Sequence, residues 1–322
     1  MSQYIKNKSF LKLSERIGKN IFLVQGAGGN TSIKEGNLIW VKCSGTWLAD
    51  SAKKKIFLKI NMNHKSDIND KHKIKRPSIE TSLHLMMPQK VVIHVHSINA
   101  IALSVQQNAK SKISRILKGF KWLWIPYVKP GPDLAKKIEI LRKGKKYNII
   151  FLANHGLIVA EESCKKAEDL LKKIESKINI KKLSKITKPK VPNTFFSENY
   201  RLIKYSSCNL MAYDKKIRLL SKGSLYPDHV VFLGPGFTLI KKDQKKEMEK
   251  ILKQNKLKFF IVESFGVVVK KNIRENEEVM IKALSLVCDR IKLKNKVNFL
   301  SKRNECELLS WDQEKYRQDL IR

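Results

Sequence analysis

Apolar residues recur along this chain in short blocks separated by polar, lysine-rich segments, and the spacing within each block predicts its secondary structure. The predicted strands are Leu38–Lys42, Val91–Val95, Asn148–Leu152 and Leu157–Ala160. The predicted helices cover residues 1–20, 97–118, 132–143 and 163–178, and a further helix is expected to open at Pro77-Ser78 with Ser78 as its N-cap. Residues 61–76 are polar and rich in lysine, which predicts an exposed loop.

Residues 180–198 combine two prolines with many charges, a composition typical of a linker. The chain has 322 residues, more than one typical domain of about 100–200 residues. We therefore expect a first domain over residues 1–185 and a second α/β unit over residues 199–322, the latter with a structural role.

The second unit shows a degenerate self-similarity to the first. The segment 88–96 resembles the segment 227–235, and the segment 150–159 resembles the segment 260–269. This alignment predicts that the second unit keeps the strands. Its counterparts of His94, His96 and His155 would be Leu233, Pro235 and Phe265, none of them a metal ligand. Chance similarity between strand-glycine-strand patterns is the alternative.

Charge is the strongest compositional signal, with 66 Lys and Arg against 29 Asp and Glu and a net charge of +37. The lysines are spread along the whole chain and do not form a recognisable nucleic-acid-binding module, so a solvated surface is expected and no nucleic acid partner. A positive field that attracts phosphorylated substrates is compatible with this pattern.

The cysteine content and the hydropathy of the chain indicate the cellular compartment. The five cysteines are odd in number and widely spaced, which argues against a disulfide framework or a cysteine zinc site. No signal peptide and no apolar run approaching the roughly 18 residues of a membrane helix are evident. We expect a cytoplasmic protein without a membrane partner.

Three of the seven histidines lie beside short apolar strands, namely His94, His96 and His155. His94 and His96 are two residues apart on a predicted strand, so their side chains point to the same face. A third imidazole from a turn would complete three protein ligands for a divalent metal ion such as zinc and leave an open coordination position. A lone His-x-His pair is a weak signal. His84 lies four residues after Glu80 on the same predicted helix face; it is expected to be an ordinary packing histidine, with support of the metal ligands as the alternative.

Five ordered motifs carry a family resemblance: Gly28-Gly-Asn-Thr-Ser, Lys42-Cys-Ser-Gly-Thr, Pro77-Ser-Ile-Glu-Thr-Ser-Leu-His, Val92-Ile-His-Val-His-Ser and Asn154-His-Gly-Leu-Ile-Val. In this order they resemble the class II aldolase/adducin family, and within it the aldolase portion of bifunctional rhamnulose-1-phosphate aldolase/alcohol dehydrogenase proteins. The segments that begin at Pro227 and Trp311 resemble the continuation of that portion, and no dehydrogenase unit is expected in the 322 residues.

The resemblance implies a three-layer αβα fold with a central, largely antiparallel sheet. It implies Zn²⁺ or another divalent metal on His94, His96 and His155, with Glu80 as the catalytic acid/base. The implied substrate- and phosphate-binding positions are Gly29, Asn30, Ser44, Gly45, Ser78 and Ile79. Ile79 departs from the family, which often has a hydroxyl residue there, so only its backbone would contribute. Without the resemblance, Glu80 would be interpreted as a helix-start carboxylate.

The expected function is that of a metal-dependent aldehyde-lyase that cleaves or forms a phosphorylated ketose through a zinc-stabilised enediolate. The expected partners are a sugar or sugar-phosphate substrate and further copies of the chain in a homo-oligomer, a tetramer by the resemblance. Epimerisation, decarboxylation and dehydration on the same metal site remain alternatives, as does a non-catalytic adducin-like scaffold.

Overall fold

A seven-stranded mixed sheet forms the centre of the first half of the chain. The computed structural model describes residues 4–63, 75–182, 197–292 and 296–320, so the middle parts of the predicted loop and linker lie outside the described residues. The strands are β1 (Asn30–Glu35), β2 (Leu38–Lys42), β3 (Phe57–Asn61), β4 (Val91–Val95), β5 (Trp122–Ile125), β6 (Ile149–Leu152) and β7 (Gly156–Glu161). Their order is β3-β2-β1-β4-β7-β6-β5, and only the β5–β6 pair is parallel.

Helices cover both faces of this sheet. They are α1 (Lys8–Lys19), α2 (Thr81–Met86), α3 (Ile98–Ser104), α4 (Ala109–Ile116), α5 (Pro132–Arg142) and α6 (Cys164–Ile178). Side chains of α1, α3, α4 and α6 form one core with the sheet face that carries Ile93, whereas α2 and α5 pack on the face that carries Val92. Since successive strand residues point to opposite faces, this arrangement is the predicted three-layer αβα architecture.

The second half contains a smaller sheet of its own. Its elements are β8 (Tyr200–Leu202), a 3-10 helix (Ser206–Tyr213), α7 (Ile217–Leu220), a π-helical turn (His229–Leu233), β9 (Thr238–Ile240), α8 (Lys245–Gln254), β10 (Phe259–Val262), β11 (Gly266–Lys270), α9 (Glu275–Arg290), α10 (Lys302–Leu309) and α11 (Asp312–Asp319). The strand order is β8-β11-β10-β9. Helix α9 packs against α3, and Ile98 and Ile101 share a buried core with Ile281 and Leu284.

The two sheets share a topology, although the alignment predicted from the sequence is only half correct. The order β4-β7-β6-β5 matches β8-β11-β10-β9, with antiparallel pairs and one parallel pair in the same places. The hairpin β10–β11 is the predicted counterpart of β6–β7. The segment 229–233 is not a strand but a π-helical turn, so the prediction that it matches β4 is wrong.

Strand β8 takes the place of β4 in the second sheet. His94 pairs with Ile158 in β7, and Leu202 pairs with Val268 at the matching position of β11. The residues in place of His94 and His96 are therefore Leu202 and Lys204, whereas Phe265 does stand in the place of His155. The second sheet carries none of the three imidazoles.

Several other boundaries differ from the sequence predictions. The helix expected to open at Ser78 begins at Thr81, and the single helix expected over residues 97–118 is two helices, α3 and α4. Strands β1, β3 and β5 were not predicted. All five cysteines are free thiols. In the described parts of the chain, every helix is too short or too polar to cross a bilayer.

Candidate metal centre

The three histidines lie at one end of the two central strands. His94 is on β4 between β1 and β7, where it pairs with Asn30 and Ile158. His96 follows the end of β4, and His155 is in the turn between β6 and β7. The three ring centroids lie 4.9–5.1 Å apart, and each of the three residues is at most 4% exposed. The predicted convergence of these residues is what the structure shows.

Two residues beside His155 shape this turn. Asn154 has a left-handed backbone with φ of 53°, which Asn adopts more readily than most residues. A Cβ atom on Gly156 would lie 2.3 Å from the backbone oxygen of Val95. Glycine is thus required at residue 156 because β7 approaches β4 closely. A positive φ, the usual reason for glycine in a tight turn, is not the cause here.

Glu80 reaches the histidines from the residue that precedes α2. Its Oε1 lies 3.3 Å from Nε2 of His94 and 3.3 Å from Nε2 of His155. Its Oε2 accepts a hydrogen bond from Nδ2 of Asn30 at 3.0 Å. Burial raises the pKa of the Glu80 carboxyl, but His94 and His155 outweigh burial and hold the pKa well below its usual range. Glu80 is therefore a carboxylate at neutral pH.

The donor atoms of this cluster fit a divalent metal ion. One ligand atom each from Glu80, His94, His96 and His155 lies within 4.8 Å of the others. Nε2 of His94, Nε2 of His96 and Oε1 of Glu80 are buried and lack a hydrogen-bond partner among the described residues, which is costly unless something binds them. Burial lowers the pKa of His155 to about 4, so its ring is neutral and its lone pair is available. Three imidazoles and one carboxylate are a donor set that zinc accepts.

Gly29 and Asn30, two of the predicted phosphate-binding positions, lie beside this cluster. Gly29 has φ of 61°, and a Cβ atom there would lie 3.0 Å from the backbone oxygen of His94. The amide of Asn30 is bound to Glu80 rather than directed elsewhere. In the same loop, the N–H of Ala27 donates to Oδ1 of Asn276, and that of Gly28 donates to the backbone oxygen of Gln25. These two N–H groups are thus already engaged.

Ser44 and Ser78 are brought together by a bridge between the residues that precede them, Cys43 and Pro77. Oγ of Ser78 accepts a hydrogen bond from the N–H of Glu80 at 3.3 Å, so this serine caps the turn before α2. Oγ of Ser44 is buried and has no hydrogen-bond partner in the described chain. An unsatisfied buried hydroxyl is a suitable group for a ligand oxygen.

Gly45 and Ile79, the remaining predicted phosphate-binding positions, lie close to the last described turn of the chain and to a second glycine. Gly45 has φ of 74°, and a Cβ atom on it would lie 2.7 Å from Cβ of Leu320. The backbone oxygen of Ile79 lies 3.4 Å from the position of a Cβ atom on Gly131. The phosphate-binding role of all six positions stays a prediction.

Lys42 is a buried cation that sequence reasoning did not single out. Its Nζ donates to the backbone oxygens of Ala27 at 2.7 Å and Thr46 at 2.9 Å. It therefore ties the glycine-rich loop to the turn that carries Ser44 and Gly45. Burial lowers the pKa of Lys42 to about 7.

Side chains from the second half also contact the histidine cluster. The sequence did not predict these contacts either. Oδ2 of Asp228 lies 2.7 Å from Nδ1 of His96, and Oδ1 of Asp228 accepts from Nη2 of Arg317 at 2.8 Å. Arg317 is also paired with Glu314. The segments that begin at Pro227 and Trp311 contain these residues and resemble the family in sequence. No spacing in the sequence predicts that residues 228 and 317 are in contact.

The other described histidines lie outside the cluster. Nδ1 of His84 is 2.8 Å from Oγ of Ser32, and the ring is fully buried, consistent with the expected packing role. His229 accepts a hydrogen bond from the N–H of Leu225 through Nδ1 and donates to the backbone oxygen of Gly236 through Nε2.

Comparison with known families decides the identity of this fold. The family model for the class II aldolase and adducin N-terminal domain matches residues 11–181, more than half of the chain. The chain belongs to the class II aldolase and adducin family. The family predicted from the sequence motifs is confirmed, and the match contains all three histidines and Glu80.

Two relatives show how much of this family member is matched. The chain is 30% identical over 200 residues to the uncharacterized oxidoreductase YuxG of Bacillus subtilis, covering 52% of this chain and only 28% of YuxG. It is 28% identical over 158 residues to the L-fuculose phosphate aldolase of Methanocaldococcus jannaschii, covering 47% of this chain and 81% of that enzyme.

Two solved structures resemble about half of the chain. The N-terminal class II aldolase domain of a conserved Thermoplasma acidophilum protein is 25% identical, with a TM-score of 0.45, covering 55% of this chain and 95% of that domain. A structure of L-fuculose 1-phosphate aldolase is 19% identical, with a TM-score of 0.41, covering 54% and 85% of the two chains.

Proposed function

We propose that this family member is a zinc-dependent aldehyde-lyase that cleaves or forms a phosphorylated ketose through an enediolate. The observation that carries the proposal is the buried group of Glu80, His94, His96 and His155, whose ligand atoms lie within 4.8 Å of one another. A divalent metal bound there supplies Lewis-acid chemistry, drawing electron density from the substrate carbonyl.

The protein contributes the proton transfer and the geometry. In the direction of ketose formation, Glu80 takes a proton from the carbon next to the carbonyl of the smaller ketone, and in the direction of cleavage it returns a proton to that carbon once the carbon–carbon bond has broken. Oε1 of Glu80 faces His94 and His155 and accepts no hydrogen bond from the described residues, while Asn30 holds Oε2. Burial of all four side chains excludes water from the reacting carbon, which strengthens every electrostatic contact in the site.

The proposed substrate class is supported by the residues around the metal centre, by the net charge and by the name of one relative. Gly29, Asn30, Ser44, Gly45, Ser78 and the backbone of Ile79 are the proposed substrate- and phosphate-binding positions. The net charge of +37 favours capture of phosphorylated anions. A relative that is 28% identical is named for a phosphorylated ketose, L-fuculose phosphate. We further propose that residues 1–185 form the catalytic domain and that the chain assembles as a tetramer.

A non-catalytic scaffold is disfavoured by the same cluster. Burying a carboxylate oxygen and imidazole nitrogens without hydrogen-bond partners, as found for Oε1 of Glu80 and Nε2 of His94 and His96 in the described chain, is costly, and a scaffold has no use for such a group. Epimerisation, decarboxylation and dehydration would use the same residues, and the products distinguish them.

The test combines metal analysis with product analysis. Elemental analysis of the purified chain is expected to give about one zinc or other divalent ion per chain. The metal-loaded chain should convert a ketose 1-phosphate into dihydroxyacetone phosphate and an aldehyde, followed by NMR across a panel of such substrates.

Matched variants locate the chemistry. Glu80→Gln should keep the metal and lose activity by about 10²–10⁴-fold. Glu278→Gln changes another buried glutamate, one that pairs with Arg201 in the second half, and should keep both. A chain without metal affinity would overturn the proposal. An epimer, a decarboxylated product or a dehydrated product would replace the lyase reaction but keep the metal centre.

A further inference from the structure

A continuous chain of buried polar contacts runs from a proposed metal ligand into the second half of the molecule. His96 contacts Asp228 at 2.7 Å, Asp228 contacts Arg317 at 2.8 Å, and Arg317 contacts Glu314 at 3.1 Å. The four residues are 2–7% exposed. The last three lie outside the family match, which ends at residue 181.

The contact between His96 and Asp228 depends on a glycine between them. A Cβ atom on Gly28 would lie 2.8 Å from Oδ2 of Asp228 and 2.9 Å from Nδ1 of His96. Any other side chain at this position would force the two groups apart. The first motif of the sequence therefore accommodates a carboxylate that comes from the other half of the chain.

Asn154 provides a second attachment beside the metal cluster. Its Nδ2 donates to the backbone oxygens of Leu225 at 2.9 Å and Asn298 at 2.7 Å. The turn that carries His155 is thus held by the second half as well. Two of the three imidazoles are consequently positioned by residues beyond the matched family domain.

We propose that Asp228 is a positioning residue for the metal ligand His96, held in place by Arg317 and Glu314, so that the second half completes the metal centre. The proposal rests on the proposed metal-dependent function. It replaces the expectation that residues 199–322 have only a structural role.

The chemistry of the contact fixes the form of the imidazole. A carboxylate only accepts hydrogen bonds, so Nδ1 of His96 carries a proton and Nε2 is the nitrogen left to bind a metal. Nε2 is the atom without a hydrogen-bond partner in the described chain. His94 shows the same arrangement, since its Nδ1 faces the backbone oxygen of Leu157 at 3.2 Å, which also only accepts.

The decisive variant is Asp228→Asn, which keeps the shape and removes one acceptor. Arg317 has no acceptor atom, so the asparagine oxygen is expected to face Arg317 and its amide to face His96. The amide would donate to Nδ1, move the imidazole proton to Nε2 and block the metal. Metal affinity should fall by about 10–100-fold, measured by competition with a chromophoric chelator.

Two further measurements separate positioning from general stability. Glu278→Gln is the control, because Glu278 is also buried and paired with an arginine in the second half, yet it should leave metal affinity unchanged. The ¹⁵N NMR signals of His96 in the metal-free protein should show a protonated Nδ1 in the wild type and a protonated Nε2 in Asp228→Asn. The measurement on the wild type remains informative even if the Asp228→Asn variant does not fold.

The outcomes for this proposal and for the proposed function are distinct. Wild-type protein that binds metal, with Asp228→Asn equal to it in affinity, overturns the role of Asp228 and leaves the metal centre intact. A metal-free wild type whose His96 carries its proton on Nε2 alone, with Nδ1 unprotonated, also overturns it. A wild type that shows a protonated Nδ1 but never binds metal supports the contact and overturns the proposed function.

Discussion

The side chain of Asn276 packs directly against the backbone of Gly26 at the junction of the two halves. A Cβ atom on Gly26, whose φ is 52°, would lie 1.7 Å from Oδ1 of Asn276, and the same Oδ1 accepts from the N–H of Ala27 at 3.2 Å. The glycine-rich loop is therefore fitted to the first turn of α9. Glycine is needed at residue 26 both for its conformation and for this contact.

This fit predicts non-additive effects on stability. Gly26→Ala should lower the free energy of unfolding by about 3 kcal/mol or more, because a left-handed backbone costs about 1–2 kcal/mol and the clash adds to it. Asn276→Ala should cost about 1–3 kcal/mol by leaving a buried N–H without a partner. The double variant should cost less than the sum, measured by urea unfolding. Additive costs would contradict the contact.

Asn30 gives a second prediction. Its side chain donates a hydrogen bond to Glu80 in the structure, whereas the family resemblance implies a role in phosphate binding. Asn30→Ala should lower kcat by about 10-fold or more, since a hydrogen bond to a charged group contributes about 1.5–3 kcal/mol. If the side chain acts only through Glu80, KM should change little, and the bound metal should remain.

The phosphate role of Asn30 makes the opposite prediction. If Asn30 contacts the phosphate, Asn30→Ala should raise KM for phosphorylated substrates and leave kcat nearly unchanged. Comparing a ketose phosphate with its unphosphorylated ketose separates the two, because an effect through Glu80 is equal for both substrates.

The alternation of residues along a strand is enough to predict that His94 and His96 lie together in the metal centre. His94 and His96 are two apart on a β-branched run, and alternation alone places both rings on one side of the sheet. Strand β1 was missed because Asn30-Thr-Ser-Ile-Lys-Glu has no apolar alternation, although its first four residues are buried. Its burial comes from pairing with β2 and β4, which is tertiary information.

The second half shows where periodicity fails. The run Val230-Val-Phe-Leu predicts a strand by its β-branched residues, yet it forms a π-helical turn in a core shared with α3 and α9. Short apolar runs do not distinguish a buried strand from a buried helical turn. Asp228, just before this turn, contacts His96 across 132 positions of sequence, a distance that no local pattern encodes.

His229 predicts how stability changes with pH. Burial lowers the pKa of His229 to about 4 from its ordinary 6.5, so the unfolded chain binds a proton that the folded chain does not. The contribution of His229 to the free energy of unfolding should therefore fall as the pH drops from about 6.5 to about 4, by about 3 kcal/mol, and level off below.

The control for this effect is His229→Gln, which has an acceptor and a donor but no proton to titrate. Urea unfolding of the chelator-treated protein at pH 7.5 and pH 4.5 should show a smaller loss in the variant than in the wild type. Equal losses would mean that other groups cause the whole pH dependence.

Removal of residues 191–322 tests whether the first half is independent. The apolar face of α3, with Ile98, Ile101, Ala102 and Val105 buried against the second half, would be exposed to water at a cost of about 1.5–3 kcal/mol for each large side chain. We expect residues 1–190 to aggregate or unfold and to lose metal affinity. Co-expression of residues 197–322 as a separate chain should restore both, measured by size-exclusion chromatography and chelator competition. A monodisperse, fully active fragment 1–190 would show that the catalytic half needs none of the contacts that α3 and His96 make.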